Sequence, residues 1–306
     1  MPSPLLSLPG AVAGDGVDAG VAAHYGDPLR EQRLAESGRG ITDRSNRDVV
    51  RVGGPDRLSW LHSLTTQHLT ALPPGQPAEA LVLSPHGHVE HHLTLVDDGE
   101  TTWAHVEPGT ADALLAFLDS MRFMLRVEPA RADDLAVLTV GHADLLVPRE
   151  RLAEAWDAQV ADGATPLGMW GHEALRVAAR RPRLGFETDH RTIPHEVGWL
   201  ETAVHLDKGC YRGQETVARV HNLGRPPRRL VLLHLDGSAD RLPERGADVT
   251  WQGARVGFVG TAARHHELGP VALALVKRNT PDDAALDAGG VAAAVDQTRN
   301  EAEQPR

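Results

Sequence analysis

A pair of prolines divides this chain into two parts of different character. Pro226 and Pro227 stand in "NLGRPPRRL". A preceding helix must end there, because proline lacks an N–H and restricts the residue before it. Before this break, helical and strand patterns are mixed; after it, "LVLLHLDG", "GADVTWQGARVGFVGTAARH" and "GPVALALVKR" read as short strands with glycine turns. The sequence therefore predicts an α+β part followed by a small β-barrel.

The order of patterns before the break excludes a doubly wound parallel sheet. "DVVRVGG" (48–54) predicts a strand, and residues 55–72 carry leucines on one helical face. Three strands are predicted within 78–107, with turns at the Pro-His-Gly and Asp-Gly positions. Helices are predicted at 109–125 and 149–162, with strands between them. This order lacks the strict strand–helix alternation of a parallel α/β fold.

These patterns divide the chain into four expected segments. Residues 1–38 are expected to be an N-terminal extension, glycine-rich at first and then with a short helix pattern at "PLREQRLAES". Residues 39–228 form the mixed domain and 229–297 the barrel. The polar tail, 298–306, is expected to be disordered because its composition cannot form a core.

Charge and composition exclude several classes of protein. The formal net charge of −11 is unsuited to general binding of nucleic-acid phosphates. No run of about 18 apolar residues predicts a membrane span. The first residues lack the basic region of a signal peptide, so we expect a cytoplasmic protein without nucleic-acid or membrane partners. A single cysteine excludes a disulfide framework and a self-contained zinc or iron–sulfur site.

That cysteine, Cys210, lies in "DKGCYRGQETVAR" (207–219). Glycines on both sides permit a tight loop, and a short helix is predicted to begin just after Gly213. Near a helix N-terminus, with Lys208 and Arg212 close in sequence, a thiolate is favoured by the helix dipole and by the cations. This pattern indicates a reactive or ligand-donating thiol. The alternative is a buried apolar side chain, the commonest setting of free cysteine.

Lysine is rare in this chain. Of 31 basic residues, only Lys208 and Lys277 are lysines. Such a bias replaces lysine by arginine wherever any cation suffices. A retained lysine therefore suggests a need for a compact ammonium, which a planar guanidinium does not imitate.

Histidines are concentrated in "SPHGHVEHHL". On a strand, His86, His88, Glu90 and His92 share one face, and His91 lies on the other. Neighbouring imidazoles are potential metal ligands. A solvated strand face is the alternative, and no further ligand motif accompanies the histidines.

A long irregular stretch, "RRPRLGFETDHRTIPHEVGWLE" (180–201), contains too many prolines, glycines and charges for one helix. Structured loops of this length are frequently functional. Within it, Glu196 follows Pro194 and precedes Val197 and Trp199. A carboxylate beside apolar residues presents two acceptor oxygens to the N–H/NH₂ edge of a planar heterocycle. A surface glutamate near a tryptophan is the alternative.

Together these stretches resemble one known family. "KGCYRGQETVAR" resembles the signature of the YgfZ family, folate-binding proteins related to the glycine-cleavage T-protein, an aminomethyltransferase. "VVRVGGPDRLSWLHSLTTQHLTALPPG", "RPRLGFETDHRTIPHEVGWLE" and "GARVGFVGTAARHHELGPVALALVKR" are similar to further blocks of that family. The resemblance implies an aminomethyltransferase-like folate-binding domain, with βαβ-type modules around a central channel, followed by a small C-terminal β-barrel.

The resemblance also implies a cofactor and the residues that bind it. Tetrahydrofolate or a derivative is the expected cofactor, and no stably bound metal is expected. Glu196 matches the glutamate that holds the pterin ring. Arg228 or Arg229 matches an arginine of the folate pocket, with Arg225 a weaker match, and Tyr211 is the aromatic residue of the cysteine loop.

Two functions are implied by the resemblance, with different active residues. The first is assembly or repair of iron–sulfur clusters, with iron–sulfur proteins or their assembly machinery as partners. Cys210 is then a thiolate nucleophile or transient cluster ligand, and Lys208 lowers its pKa. The second is a folate-dependent one-carbon transferase or demethylase. The Asp-Asp pair of T-proteins is replaced here by His91-His92, and one imidazole is then the general base. A third, simpler possibility is a folate-binding regulator in which Cys210 is dispensable.

Overall fold

The computed structural model describes residues 2–297; the predicted disordered tail, 298–306, lies outside the described residues. Within them, the α-helices are α1 (Pro28–Ala35), α2 (Arg57–Leu64), α3 (Ala111–Ser120), α4 (Leu152–Ala161), α5 (Met169–Ala178), α6 (Trp199–Ala203) and α7 (Gln214–Leu223). None of these helices combines the length and the apolar character needed to cross a membrane.

The strands fall into two groups, before and after the paired prolines. The N-terminal and first-domain strands are β1 (Val12–Ala13), β2 (Ala22–His24), β3 (Gly40–Asp43), β4 (Asp48–Gly53), β5 (Pro77–Leu83), β6 (Val89–Asp97), β7 (Thr101–Val106), β8 (Glu128–Arg131), β9 (Leu135–Val140), β10 (Ala143–Pro148) and β11 (Thr165–Pro166). The C-terminal strands are β12 (Arg228–Leu235), β13 (Asp248–Trp251), β14 (Ala254–His265), β15 (Gly269–Lys277), β16 (Leu286–Ala288) and β17 (Ala292–Val295).

A five-stranded antiparallel sheet, ordered β5-β6-β7-β4-β8, forms the centre of the first domain. The period-two alternation of β6 places His91, Leu93 and Leu95 on the face covered by α2 and α3. His92 and Thr94 lie on the opposite face. The three strands and two turns predicted for 78–107 are confirmed.

A second sheet, ordered β10-β9-β3-β11, packs beside the first. Its core includes Ile41, Leu138, Leu152 and Trp156, together with Leu5 from the N-terminal segment. Helix α5, which the strand and helix patterns did not indicate, packs between β2, α1 and strand β14. The predicted boundary at residue 38 stays a prediction, but the residues before it are packed into the fold.

The C-terminal strands close into a barrel in the order β12-β15-β14-β13-β16-β17. Closure leaves no unpaired strand edge. Its interior is filled by alanine and branched aliphatic residues, among them Val231, Leu233, Val249, Val259 and Val276. The predicted all-β C-terminal part is therefore confirmed, and β16 and β17 complete it.

Helix α2 is shorter than the leucine pattern of 55–72 predicted, because it ends at Leu64. Two threonines end it. The hydroxyl of Thr65 donates to the Leu61 carbonyl, and that of Thr66 donates to Ala203 and accepts from the N–H of Leu81. Such side-chain hydrogen bonds offer the backbone an alternative to continued helix.

Candidate functional site

Cys210 is exposed. It lies in the loop between α6 and α7, so the interpretation of this thiol as a buried apolar side chain is wrong. Gly213 ends the loop with a φ of +81°, which favours glycine. A Cβ at this position would lie 2.6 Å from the Ser84 carbonyl oxygen and 2.9 Å from Gly87 Cα. The loop is therefore held tightly against the β5–β6 turn.

Lys208 is buried and fixes the other end of the same loop. Its ammonium donates to the carbonyl oxygens of His62, Thr65 (2.5 Å) and Gln67 (3.1 Å), at the C-terminal end of α2. Burial lowers the pKa of Lys208 to about 8, while the three carbonyls favour the charged form. Three converging acceptors suit a compact ammonium, as the rarity of lysine suggested. Its effect on the Cys210 thiol stays a prediction.

Tyr211 is a core residue of this loop. Its ring packs with Leu81, Val197 and Val217, and lies 5.1 Å from the Lys208 Nζ. Burial raises the pKa of Tyr211 to about 12. Cys210 is thus an exposed side chain between two anchored, buried neighbours. A cofactor-binding role for Tyr211 stays a prediction.

Glu196 forms the buried end of an ion-pair cluster. It lies in a 3-10 helix (Pro194–Glu196) and is 2% exposed. The Arg228 guanidinium donates to Glu196 Oε1 through Nε (2.9 Å) and to Oε2 through a terminal nitrogen (2.8 Å). The Ile193 N–H also donates to Oε2 (3.1 Å). Both carboxylate oxygens are therefore occupied by donors of this chain.

Asp189 shares the same guanidinium. Arg228 donates to both of its oxygens, at 2.7 and 3.1 Å. Burial raises the pKa of Asp189, but the hydrogen bonds from Arg228 outweigh it and hold that pKa well below its usual range. Arg229, next along β12, points to the other side and pairs with Asp282, so Arg228 is the arginine that reaches Glu196. Arg225 is exposed in the loop before the strand.

His91 and His92 face opposite sides of the first sheet, as the alternation predicted. His91 is buried beneath α2 and α3, and its Nδ1 has no hydrogen-bond partner among the described residues. Burial lowers the pKa of His91 to about 4. His92 stacks on Trp199 with ring centroids 4.7 Å apart, and its Nε2 lies 3.2 Å from Glu79 Oε2.

His92 faces a small, partly open cavity of about 70 Å³ where the two sheets and α5 meet. We call this space the channel cavity. Its wall consists of Arg44, Arg47, His92, Thr94, Glu107, Met169, His172, Glu173, Arg176, Pro182 and Arg183.

Buried ion pairs line this cavity. Glu107 accepts from Arg47 (2.6 Å) and Arg183 (2.8 Å), and Arg176 pairs with Glu187 (3.0 Å). Burial raises the pKa of Glu107, but the two arginines reverse the effect and hold it far below its usual range. The sequence patterns did not single out these residues, because the pairs join positions up to 76 apart, as in Glu107 and Arg183.

The histidine-rich turn and strand do not gather into a metal site among the described residues. Elsewhere among the described residues, Glu36, His265 and His266 bring three potential metal-ligand atoms close together. However, His265 Nδ1 accepts from the backbone N–H groups of Glu267 and Leu268 (3.2 Å each). In a neutral imidazole the other nitrogen then carries the proton, so this histidine offers no free lone pair to a metal.

Comparison with known proteins identifies relatives of this chain. No known family's sequence model matches it. An aminomethyltransferase of Synechococcus sp. (strain WH7803) is 25% identical over 279 residues, which cover 72% of this chain and 74% of the relative. One of Shouchella clausii (strain KSM-K16) is 29% identical over 313 residues, covering 84% and 83%.

A solved structure gives the same result for the fold. Glycine cleavage system aminomethyltransferase T from Bartonella henselae matches with a TM-score of 0.80 at 17% identity, over 94% of this chain and 93% of that one. The chain therefore has the glycine-cleavage T-protein fold, mixed α+β with a closed six-stranded C-terminal barrel, and the predicted fold class is confirmed. Its homologues are aminomethyltransferases. The narrower YgfZ assignment is a proposal.

Proposed function

We propose that this protein is a folate-binding protein of the YgfZ type, with the pterin ring held at Glu196. The chemistry of the site supports this proposal. Both Glu196 oxygens accept from the planar, forked donor of Arg228. The N–H/NH₂ edge of a pterin has the same donor arrangement, so it can replace Arg228 on this carboxylate, while Asp189 retains the arginine.

The size of the channel sets a condition on binding. The channel cavity, about 70 Å³, is smaller than the roughly 150 Å³ cavity that holds a benzene molecule. A bicyclic pterin therefore requires side chains to move. Bound tetrahydrofolate would supply a nitrogen nucleophile that accepts a one-carbon group. Glu196 would orient the ring, and His92 with Glu79 would face it across the channel.

The protein's task in this proposal is to support the assembly or repair of iron–sulfur clusters in other proteins. The single observation that carries it is the exposure of Cys210 between the anchored residues Lys208 and Tyr211. A reactive side chain on a fixed loop meets a partner at a defined position. One thiol cannot hold a cluster alone, so a partner protein must supply the remaining ligands.

The test is complementation of a deletion strain, read out as the activity of iron–sulfur enzymes. Cys210→Ala should fail to restore activity, yet leave the midpoint of urea unfolding unchanged, because the thiol is exposed. Glu196→Gln should fail as well and should weaken tetrahydrofolate binding in titration calorimetry. Full restoration by Cys210→Ala would refute the thiol's role and leave a folate-binding regulator as the better description.

A one-carbon transferase is the second candidate, and it has its own supporting observations. The relatives named above are aminomethyltransferases, and His92 faces the channel. Its Nε2 lies 3.2 Å from Glu79 Oε2, a contact that orients the imidazole as a general base requires. His91, on the other face of the sheet, is not available for this role.

Turnover separates the two candidates. The purified protein would be given an aminomethylated thiol, whose carbon is already at the oxidation level of formaldehyde, and tetrahydrofolate. Formation of methylenetetrahydrofolate, with release of ammonia and the free thiol, would be followed. The transferase predicts turnover that falls at least a hundredfold in His92→Gln, in the range that general acid–base catalysis contributes. The same assay with His91→Gln is the matched control. No turnover by the wild-type protein would exclude this candidate for the aminomethylated thiol tested.

A further inference from the structure

The N-terminal segment reaches the wall of the channel through one side chain. Asp18 ends a short 3-10 turn (Gly16–Asp18). Its two oxygens accept from the two terminal nitrogens of Arg183, at 3.0 and 3.1 Å, and Oδ1 also accepts from the Asn46 amide (2.7 Å). Arg183 lines the channel cavity, so Asp18 lies at one of its ends.

A large cleft lies on the other side of this contact. It has a volume of about 640 Å³, and Ala19 and Gly20, which follow Asp18, form part of its wall. Arg47 lines both the cleft and the channel cavity. The cleft and the channel cavity are therefore neighbouring spaces that share Arg47 as part of their walls.

The geometry at Arg183 is that of a carboxylate-binding site. A guanidinium that directs two parallel N–H groups at two oxygens is the typical bidentate arrangement for a carboxylate. Arg183 is 6% exposed, and its Nε donates to Glu107 (2.8 Å). A carboxylate that replaced Asp18 would leave this second bond intact, so the buried guanidinium would remain paired throughout the exchange.

The cleft offers a second cation. Arg149 lines it and directs its guanidinium at the backbone carbonyls of Asp133, Ser45 and Leu135. These acceptors are uncharged, although Arg149 also interacts electrostatically with the buried Asp43. By contrast, Arg131, also in the wall, is paired with three aspartates. A ligand with two carboxylates thus finds Arg183 at the inner end and Arg149 in the wall.

We propose that Arg183 is the binding site for a carboxylate of the ligand and that Asp18 fills this site from within when no ligand is bound. The ligand class is a small molecule with a glutamate-like dicarboxylate end. With the proposed folate function, on which this identification of the ligand rests, that end is the glutamyl tail. The cleft then holds the tail, and the channel holds the ring.

The direct test uses p-aminobenzoyl-L-glutamate, which carries the tail without the pterin. Asp18→Asn removes the internal carboxylate and leaves Arg183 paired with Glu107. We expect it to bind this probe about tenfold more tightly than the wild-type chain in titration calorimetry, because a bidentate charged competitor is gone. Asp15→Asn is the matched control: this aspartate lies in the same turn, is exposed and makes no side-chain cap bond. It should bind as the wild type does.

Asp18→Ala provides a second variant, because an asparagine amide oxygen can still accept one hydrogen bond from Arg183. Urea unfolding of all variants would confirm that the fold is retained. Equal affinity for the probe in the wild type and in the Asp15 and Asp18 variants would overturn the proposal. Tighter binding by Asp15→Asn as well would also overturn it, since the effect would then be one of general charge.

Two further ligands keep this inference separate from the folate proposal. Tetrahydrofolate should gain affinity in Asp18→Asn, whereas 6-methyltetrahydropterin, a ring without a tail, should not. If Asp18→Asn binds the tail probe more tightly but no variant binds tetrahydrofolate, the carboxylate site stands and the folate function is refuted. If tetrahydrofolate binds equally in all variants and the tail probe does not respond, the folate function stands and the Asp18 site is refuted.

Discussion

Replacing Lys208 by methionine should destabilise the protein by about 3 kcal/mol. Methionine keeps most of the apolar stem of lysine and removes only the ammonium. The carbonyls of His62, Thr65 and Gln67 then lose their shared donor. The contact to Thr65 is buried, and an unsatisfied buried acceptor costs about 1–3 kcal/mol. The other two contacts are part-buried, so water replaces the donor there at a smaller cost of about 0.5 kcal/mol each.

The assay is urea unfolding at pH 7, with the slope of the transition checked against the wild type. Lys277→Met is the matched control, since Lys277 is the other lysine of the chain, is exposed, and donates to one carbonyl, that of Arg255 (3.1 Å). It should cost less than about 0.5 kcal/mol. Lys208→Arg should not rescue, because a planar guanidinium cannot point at three converging carbonyls. A Lys208→Met protein as stable as the Lys277 control would refute this account of the loop.

Three further perturbations test the site. The pKa of His91 is about 4 in the folded state and about 6.5 in the unfolded state. The unfolded chain therefore binds the proton at a higher pH than the folded chain does. As a result, the free energy of unfolding falls as the pH drops from about 6.5 to about 4. His91→Leu should remove up to about 2 kcal/mol of that acid loss between pH 7 and pH 5, as measured by urea unfolding at the two pH values; an unchanged pH dependence would contradict it. Arg228→Met strands two carboxylates and should cost about 3–5 kcal/mol, unless Glu196→Gln and Asp189→Asn are added. Gly213→Ala should lower stability by at least about 1 kcal/mol, because of its positive φ and the Ser84 carbonyl; a neutral effect would mean that the loop can shift.

Local patterns predicted the features that depend on near neighbours in the chain. The alternation of β6 placed His91 and His92 on opposite faces before any contact was known, because strand period is a property of the backbone. The paired prolines and glycine turns indicated the barrel for a similar reason. The rarity of lysine pointed to Lys208, although not to what it binds.

The contacts of the candidate site were beyond such patterns. The acceptors of Lys208 lie more than 140 positions earlier in the chain, and Asp18 meets Arg183 across 165 positions. The end of α2 depended on Thr66, whose partner, Ala203, belongs to another helix. Each of these contacts depends on how whole helices and strands pack. The residues involved have no characteristic spacing in the sequence from which the contact could be predicted.

The pair formed by Arg228 and Glu196 joins the C-terminal barrel to the domain that precedes it. Arg228 is the first residue of the barrel, and Glu196 belongs to the loop of the channel domain. A ligand that takes Glu196 must separate them, so its apparent affinity falls by the fraction of molecules in which the carboxylate is still engaged. The ion pair that holds the barrel to the preceding domain therefore competes with binding of a ligand at Glu196. A sequence change deep in the barrel that only shifts the start of its first strand would alter ligand affinity without touching the ligand.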